Sequence, residues 1–285
     1  MIDFDFHTHT FPQSTCASQS VSELANKALS SGIKALSICN HDTIDGLSEA
    51  RAECEKLGLE FVNGVELTCN IQDESAELDG TILHLLGYNI DNNIELFNSY
   101  LRPIREYNKK RLLKVCAYLR EIGRNVDDCT DSTLLREQLA KKGYFTDVKS
   151  AKRYLYSDEI ELRFPTKRLS HKRAIELVHK LNGIAVWAHP ARINMHEKFT
   201  INELNDVVER FCKCGLDGLE VFHPDNFKTN GYVQELLDIA KRKNLLITLG
   251  SDSHHVQDRD GYFILSKELN SFDFDFSKIK YIWKN

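Results

Sequence analysis

Residues 2–10 read IDFDFHTHT, a short alternating run that predicts a strand over 2–6 and ends in two histidines one residue apart. Alone, such a pair is compatible with surface groups or hydrogen-bonded partners, so its meaning depends on how the other strands end. Helical spacing follows in SVSELANKALSSG from Ser20, through Leu24, Ala25, Ala28 and Leu29, with a stop at Gly32. IKALSIC at 33–39, the helical GLSEARAECEKLG at 46–58, LEFVNGVEL at 59–67 and TILHLLGYNI at 81–90 continue the rhythm. β-rich apolar runs with helices between them predict a mostly parallel sheet joined by right-handed crossovers.

The rhythm breaks after Asn92. Residues 95–122 carry long helical spacing, with Leu112, Leu113, Val115, Cys116, Leu119 and Ile122 as an apolar face, and shorter helices are expected around 131–142 and 147–156. This predicts a helical insertion at 98–167 between barrel segments 1–97 and 168–285. Alternation resumes with SHKRAIELVHKLNG at 170–183, GIAVWAHP at 183–190 and a helix near 202–213. GLEVFHP at 218–224 and LLITLGSD at 245–252 follow, separated by the helical YVQELLDIAKRKN. Seven strand candidates with at least five helices make an α/β chain and favour a closed or nearly closed β/α barrel. Neither GxGxxG nor GxxxxGK[ST] occurs, so a dinucleotide fold and a P-loop have no sequence support.

The chain has 285 residues, and 37 Lys and Arg against 42 Asp and Glu give a formal charge of −5. Such a mildly acidic chain lacks the broad basic footprint of a nonspecific nucleic-acid binder, although a local anion site stays open. An apolar content of 42% can fill a sizeable core. No apolar run is long enough to suggest a membrane span, and MIDFDFHTHT is not a basic segment leading an apolar one, so a cytoplasmic protein is expected. The eight cysteines form no CxxC pair and read as free thiols. Cys212 and Cys214 are too close for the usual paired zinc spacing.

His7, His9, His41 with Asp42, Glu66, His84, His189, and Asp252 with His254 all fall at or just after the expected C-terminal ends of strands. In a β/α barrel that rim gathers loops from sequence-distant strands around one pocket. Imidazole and carboxylate donors suit divalent transition metals, and a carboxylate can bridge two ions. Asp42 is expected to orient His41 or to form a turn. Each residue has an ordinary reading as a cap, a turn or a core histidine. Their recurrence at successive strand ends points to a polynuclear metal site.

DFHTHT at 5–10, NHDTIDGL at 40–47, NGVEL at 63–67, HLLGY at 84–88, AHPAR at 188–192, GLEVFHP at 218–224 and GSDSHH at 250–255 together resemble the PHP (polymerase and histidinol phosphatase) family of metal-dependent phosphoesterases. The resemblance implies a distorted seven-stranded β/α barrel. It also implies two or three divalent ions (manganese, iron or zinc) held by His7, His9, His41, Glu66, His84, His189, Asp252 and His254, with Glu66 as the bridge. One motif departs from the pattern. Relatives often carry an aspartate in a short loop after the histidine pair, where this chain has FPQSTCASQS at 11–20. Neither Ser14 nor Cys16 supplies a hard anionic oxygen, which places the third ion in doubt.

The expected chemistry is in-line hydrolysis of a phosphate ester by metal-activated water, with His41 or His254 managing a proton and Asp252 essential. Arg192 is expected to bind phosphate in a bidentate fashion, with His223 on the opposite rim and Arg102 and Arg105 of the insertion as further contacts. The insertion is expected to act as a cap that selects the non-reacting part of the substrate. The family resemblance favours a small phosphorylated metabolite, above all the 3′-phosphate of a nucleoside 3′,5′-bisphosphate. Histidinol phosphate, cyclic phosphates and 5′-to-3′ degradation of short RNA are the alternatives within the family. A non-catalytic metal- and phosphate-binding regulatory module is the alternative outside it.

Overall fold

Strands whose side chains are buried on both faces need cover inside and out, and β1 (Phe4–Thr8), β2 (Ala35–Ile38) and β7 (Gly218–Phe222) are buried at every position. The computed structural model describes residues 3–72, 79–196, 201–228 and 230–255, together with 269, 274–276, 278 and 279. The remaining strands are β3 (Glu60–Asn70), β4 (Ile82–Tyr88), the two-residue β5 (Leu169–Ser170), β6 (Ile184–Trp187) and β8 (Leu246–Leu249). They form one sheet in the order β1-β2-β3-β4-β6-β7-β8, with β5 beside β3. A parallel bridge from Thr8 to Ser253, just past β8, returns the last strand to the first, so the barrel is nearly closed.

The sheet is mixed, which corrects the expectation of a mostly parallel one. β1, β2 and β3 are parallel, as are β6, β7 and β8, but β4 runs antiparallel to both β3 and β6. A parallel return needs a crossover of a dozen or more residues, usually a helix, and among the described residues no helix lies between β3 and β4. β3 is also longer than expected, so Glu66 lies inside it. His84 lies near the start of β4, not at a strand's end. The reversed direction of β4 brings its beginning to the rim where its parallel neighbours finish.

Helices α1 (Val21–Ser30) and α2 (Leu47–Lys56) connect the first strands. Ser20 and Glu23 close a reciprocal capping box at the start of α1. The long α3 (Ile94–Glu121) leads into α4 (Ser132–Lys141), α5 (Val148–Leu155) and α6 (Asp158–Arg163). After β5 come α7 (His171–Lys180), α8 (Ile201–Lys213), the one-turn α9 (Pro224–Phe227) and α10 (Tyr232–Lys243), with a 3₁₀ segment at Pro190–His196. No helix among the described residues is long and apolar enough to cross a membrane.

Contacts divide the chain into two compact units, Met1–Phe97 with Leu169–Asn285, and Asn98–Arg168. The second has its own core. Leu112, Val115, Cys116 and Leu119 of α3 meet Leu135 and Leu139 of α4, Ala151 and Leu155 of α5, and Ile160 of α6. Leu113 and Ile122, assigned to the same face by periodicity, are 38% and 43% exposed, because the contact stripe is narrower than the apolar run. Leu119 is fully buried here. Leu119→Ala should therefore destabilise this unit by about 2–5 kcal/mol, read from chemical denaturation followed by far-UV circular dichroism.

Candidate metal centre

β1 delivers His7 and His9 to the same side, and both are fully buried with their Nε2 atoms 3.1 Å apart. The His7 Nδ1–H donates to Glu220 Oε1 at 2.8 Å, which fixes the tautomer and turns the Nε2 lone pair inward. That Nε2 lies 3.4 Å from both Glu66 Oε2 and Asp252 Oδ1. His9 Nε2 lies 3.0 Å from Asp252 Oδ1 and 3.3 Å from Glu66 Oε2. His7, His9, Glu66 and Asp252 thus form one compact donor set.

Glu66 also faces a second set. Its Oε2 is 3.0 Å from His41 Nδ1, and its Oε1 is 2.7 Å from His84 Nδ1 and 2.9 Å from His189 Nε2. Register explains the reach to His84. Glu66 pairs with Leu86 and Thr68 with His84, so Glu66 and His84 are diagonal neighbours on one sheet face. His9, His41 and His254 gather as a third, all-imidazole set. His254 Nδ1 contacts the Asp252 carbonyl at 2.7 Å, which assigns the proton to Nδ1 and presents Nε2 as a lone-pair donor.

Several buried atoms here lack a hydrogen bond, namely Glu66 Oε2, Asp252 Oδ1, His41 Nδ1 and His223 Nε2. Burying such atoms without compensation is costly, whereas a divalent cation takes oxygen and imidazole nitrogen donors together. The donor set therefore fits divalent metal ions. Burial works against ionisation of Glu66, but the His84, His41 and His7 imidazoles hold its carboxyl well below the usual range. Asp252 is likewise held low against its burial by His7, His223 and His9. Burial brings His41 and His189 down to about 3, so both are neutral donors at physiological pH.

The framework holding these groups is tight. His189, Asp252 and Asp42 have φ of 31°, 55° and 52°, a left-handed backbone that costs energy and recurs at functional sites. Asp42 sits in the loop that carries His41. Its Oδ1 accepts from Thr68 N–H at 2.9 Å and its own N–H donates to the Glu66 carbonyl, tying the loop to β3. A Cβ on Gly250 would collide with the His7 side chain and approach the His7 amide nitrogen and Glu220 Oε1 to 2.8 Å, so only glycine fits.

Two buried carboxylates escaped the sequence reading. Besides binding His7, Glu220 accepts from the His189 N–H at 2.7 Å, and its only sequence signal is an acid inside the apolar run GLEVF. Asp5 accepts from the His7 and Ser251 amides at 3.1 and 3.0 Å, fastening the last strand's loop to the first. Ser14 was noted only as a missing aspartate, yet it is buried. Its Oγ accepts from His41 N–H at 3.0 Å and faces His9 Nδ1 at 3.5 Å. Cys16 is exposed and belongs to none of the donor sets among the described residues.

Arg192 stands at the edge of the cluster. Its Nε donates to Asp225 Oδ2 at 2.6 Å and its Nη2 to Asp252 Oδ2 at 2.5 Å, leaving it 37% exposed. His223 is buried. Its Nδ1 accepts from Asp225 N–H at 3.0 Å, and its Nε2 lies 3.6 Å from Asp252 Oδ2. His7, Glu220 and His223 make a further set of possible donors. Arg102 and Arg105 belong to the helical unit, where Arg105 Nη1 donates to Asn98 Oδ1 at 2.8 Å.

Residues 5–122 match the PHP domain. Across 95% of both chains, this protein is 28% identical to a 5′-3′ exoribonuclease of Haemophilus influenzae. It is 27% identical to a phosphoribosyl 1,2-cyclic phosphate 1,2-diphosphodiesterase of Eggerthella lenta, over 88% of this chain and 93% of that one. It is 24% identical to a 3′,5′-nucleoside bisphosphate phosphatase of Chromobacterium violaceum, over 89% of this chain and 87% of that one. A crystal structure of a metal-dependent phosphoesterase from Bifidobacterium adolescentis superposes with a TM-score of 0.69 at 25% identity, covering 88% of this chain and 87% of that one.

Two outcomes follow from this geometry. Glu220→Gln should lower divalent-metal affinity about 10–100-fold in a competition titration, because the amide no longer holds His7 with a full charge. Asp225 is pushed up by burial but held at about 2 by Lys228 and Arg192, below its ordinary 3.8. Its contribution to stability is therefore full above that ordinary value and is lost as pH falls through about 2. Asp225→Asn should remove this part of the acid dependence of the melting temperature.

Proposed function

The chain belongs to the PHP family of metal-dependent phosphoesterases, and from that premise we propose that it removes the 3′-phosphate of a nucleoside 3′,5′-bisphosphate. The observation that carries this reading is the half-buried Arg192 guanidinium fixed beside donor sets that share Glu66. A phosphate monoester brings compact negative charge, which such a rim and floor can neutralise together.

In this reading His7, His9, Glu66 and Asp252 hold one divalent ion, and Glu66, His84 and His189 a second, with His41 beside them. His9, His41 and His254 are the donors for a third. No thiolate is among them, and imidazole with carboxylate suits manganese, iron or zinc. Bound ions supply Lewis acidity toward phosphoryl oxygens and lower the pKa of water.

The chain's own residues supply orientation and hydrogen bonds. Asp225 holds the Arg192 Nε and Asp252 one Nη2 hydrogen, and Arg192 offers its remaining Nη N–H groups to non-bridging phosphoryl oxygens. With Nδ1 occupied as an acceptor, His223 carries its proton on Nε2 and donates it to phosphate from the buried side. His41, neutral at physiological pH, acts as a lone-pair donor and not as an acid. Where no third ion takes its Nε2, His254 is the imidazole left to pass a proton there. The 24% identical bisphosphate phosphatase supports the nucleotide substrate.

The test is phosphate release from nucleoside 3′,5′-bisphosphates, histidinol phosphate, cyclic phosphates and 5′-phosphorylated RNA, with metal content measured on the same preparation. The bisphosphates should give the highest kcat/KM, and a higher value for histidinol phosphate or a cyclic phosphate would overturn the assignment. Arg192→Ala should lower kcat/KM about 10²–10³-fold with metal content retained. Asp252→Asn should lose metal and activity together.

A further inference from the structure

The Asp225 carboxylate carries a cation on each oxygen. Its Oδ2 accepts from Arg192 Nε at 2.6 Å and its Oδ1 from Lys228 Nζ at 2.5 Å. On the inner side Arg192 Nη2 also donates to Asp252 Oδ2. Asp252, Arg192, Asp225 and Lys228 therefore form one row of alternating charge that begins in the metal donor set and ends at the surface. Lys228 is the outermost member, with 64% of its side chain exposed against 37% for Arg192. Two ion-pair contacts across one carboxylate keep the Lys228 Nζ within about 7 Å of the Arg192 Nε.

The backbone beneath the row is locked. Arg192 lies on the 3₁₀ segment and Lys228 follows α9, and the two are cross-linked where the Ala191 N–H donates to Asn226 Oδ1 at 3.1 Å. The fully buried Asn226 side chain donates in turn to the Glu220 and Val221 carbonyls, each at 2.9 Å. Long cationic side chains lose rotamer freedom when a ligand orders them, and Asp225 has already ordered both. Donors are left over for a ligand. An ammonium has three N–H groups, of which Asp225 accepts one.

We infer that Lys228 binds the phosphate that is not cleaved, held by Asp225 at a fixed offset from Arg192. This rests on the nucleoside bisphosphate reading and deepens it. The metal donor sets and Arg192 account for one phosphate of such a substrate. The other lies across a single ribose, the offset at which the row sets a second cation one carboxylate farther from the donor set. Arg192 serves a phosphate monoester of any kind, whereas Lys228 rewards a second phosphate. Histidinol phosphate and a nucleoside 3′-monophosphate lack the group that Lys228 meets. An ammonium on a flexible stem, a compact point charge, suits a terminal phosphate dianion that needs no planar recognition.

The test compares adenosine 3′,5′-bisphosphate with adenosine 3′-monophosphate as substrates of the full, metal-loaded chain, in the wild type, Lys228→Met and Lys228→Arg. A contact made equally in the ground and transition states acts on KM and not on kcat. Lys228→Met should therefore raise KM for the bisphosphate about tenfold or more, shrinking its preference over the 3′-monophosphate by the same factor. Lys228→Arg, which keeps the charge, should restore most of that preference. Titration calorimetry with adenosine 5′-monophosphate needs no turnover, and its affinity should fall about tenfold in Lys228→Met. Equal losses on both substrates would mean that Lys228 only steadies Asp225 and Arg192, and would overturn the inference. Wild-type affinity of Lys228→Met for adenosine 5′-monophosphate would overturn it too. A bisphosphate preference that survives Lys228→Met defeats this inference alone. Binding of adenosine 5′-monophosphate that depends on Lys228, in a chain that releases no phosphate from the bisphosphate, defeats the substrate assignment and leaves the site standing.

Discussion

The Glu66 carboxylate lies within 3.4 Å of five imidazoles, those of His7, His9, His41, His84 and His189. A carboxylate buried among imidazoles and beside a second carboxylate, that of Asp252, is expensive to keep without cations, and much of the surrounding structure meets that demand. β3 is long enough to carry Glu66 in its interior, β4 runs backward to bring His84 alongside, and the parallel strands β1 and β6 deliver His7, His9 and His189 from their ends. Removing this carboxylate would leave the imidazoles without the acceptor they share, and two donor sets without a common member.

A second layer makes the arrangement stiff. Glu220 holds the His7 ring and the His189 backbone together, Asp5 fastens the loop after β8 to β1, and Asn226 joins Ala191 to the carbonyls of Glu220 and Val221. Arg192 is held between Asp225 and Asp252, so its guanidinium is already oriented and has less side-chain freedom to lose on meeting an anion.

Much of this was readable from strand ends. His7, His9, His41, Glu66, His84, His189, Asp252 and His254 were selected because chemically similar side chains recur where strands stop, and all eight fall in or beside the donor sets. Strand direction was less accessible. Apolar runs look alike whichever way they point, and the sharpest clue to β4 was the missing helix before it. Glu220 and Asp5 stayed hidden because a buried acid inside a strand gives no local signal until its partner, distant in sequence, is known. The short α6 offers too few turns to show a period.

The central claim is that Glu66 is shared between divalent ions. Anomalous X-ray scattering from crystals of the manganese-loaded protein tests it most directly. The account requires two anomalous peaks flanking Glu66, one beside His7, His9 and Asp252 and the other beside His84 and His189. A single peak that does not contact Glu66, or peaks only at other histidines or cysteines, would contradict it.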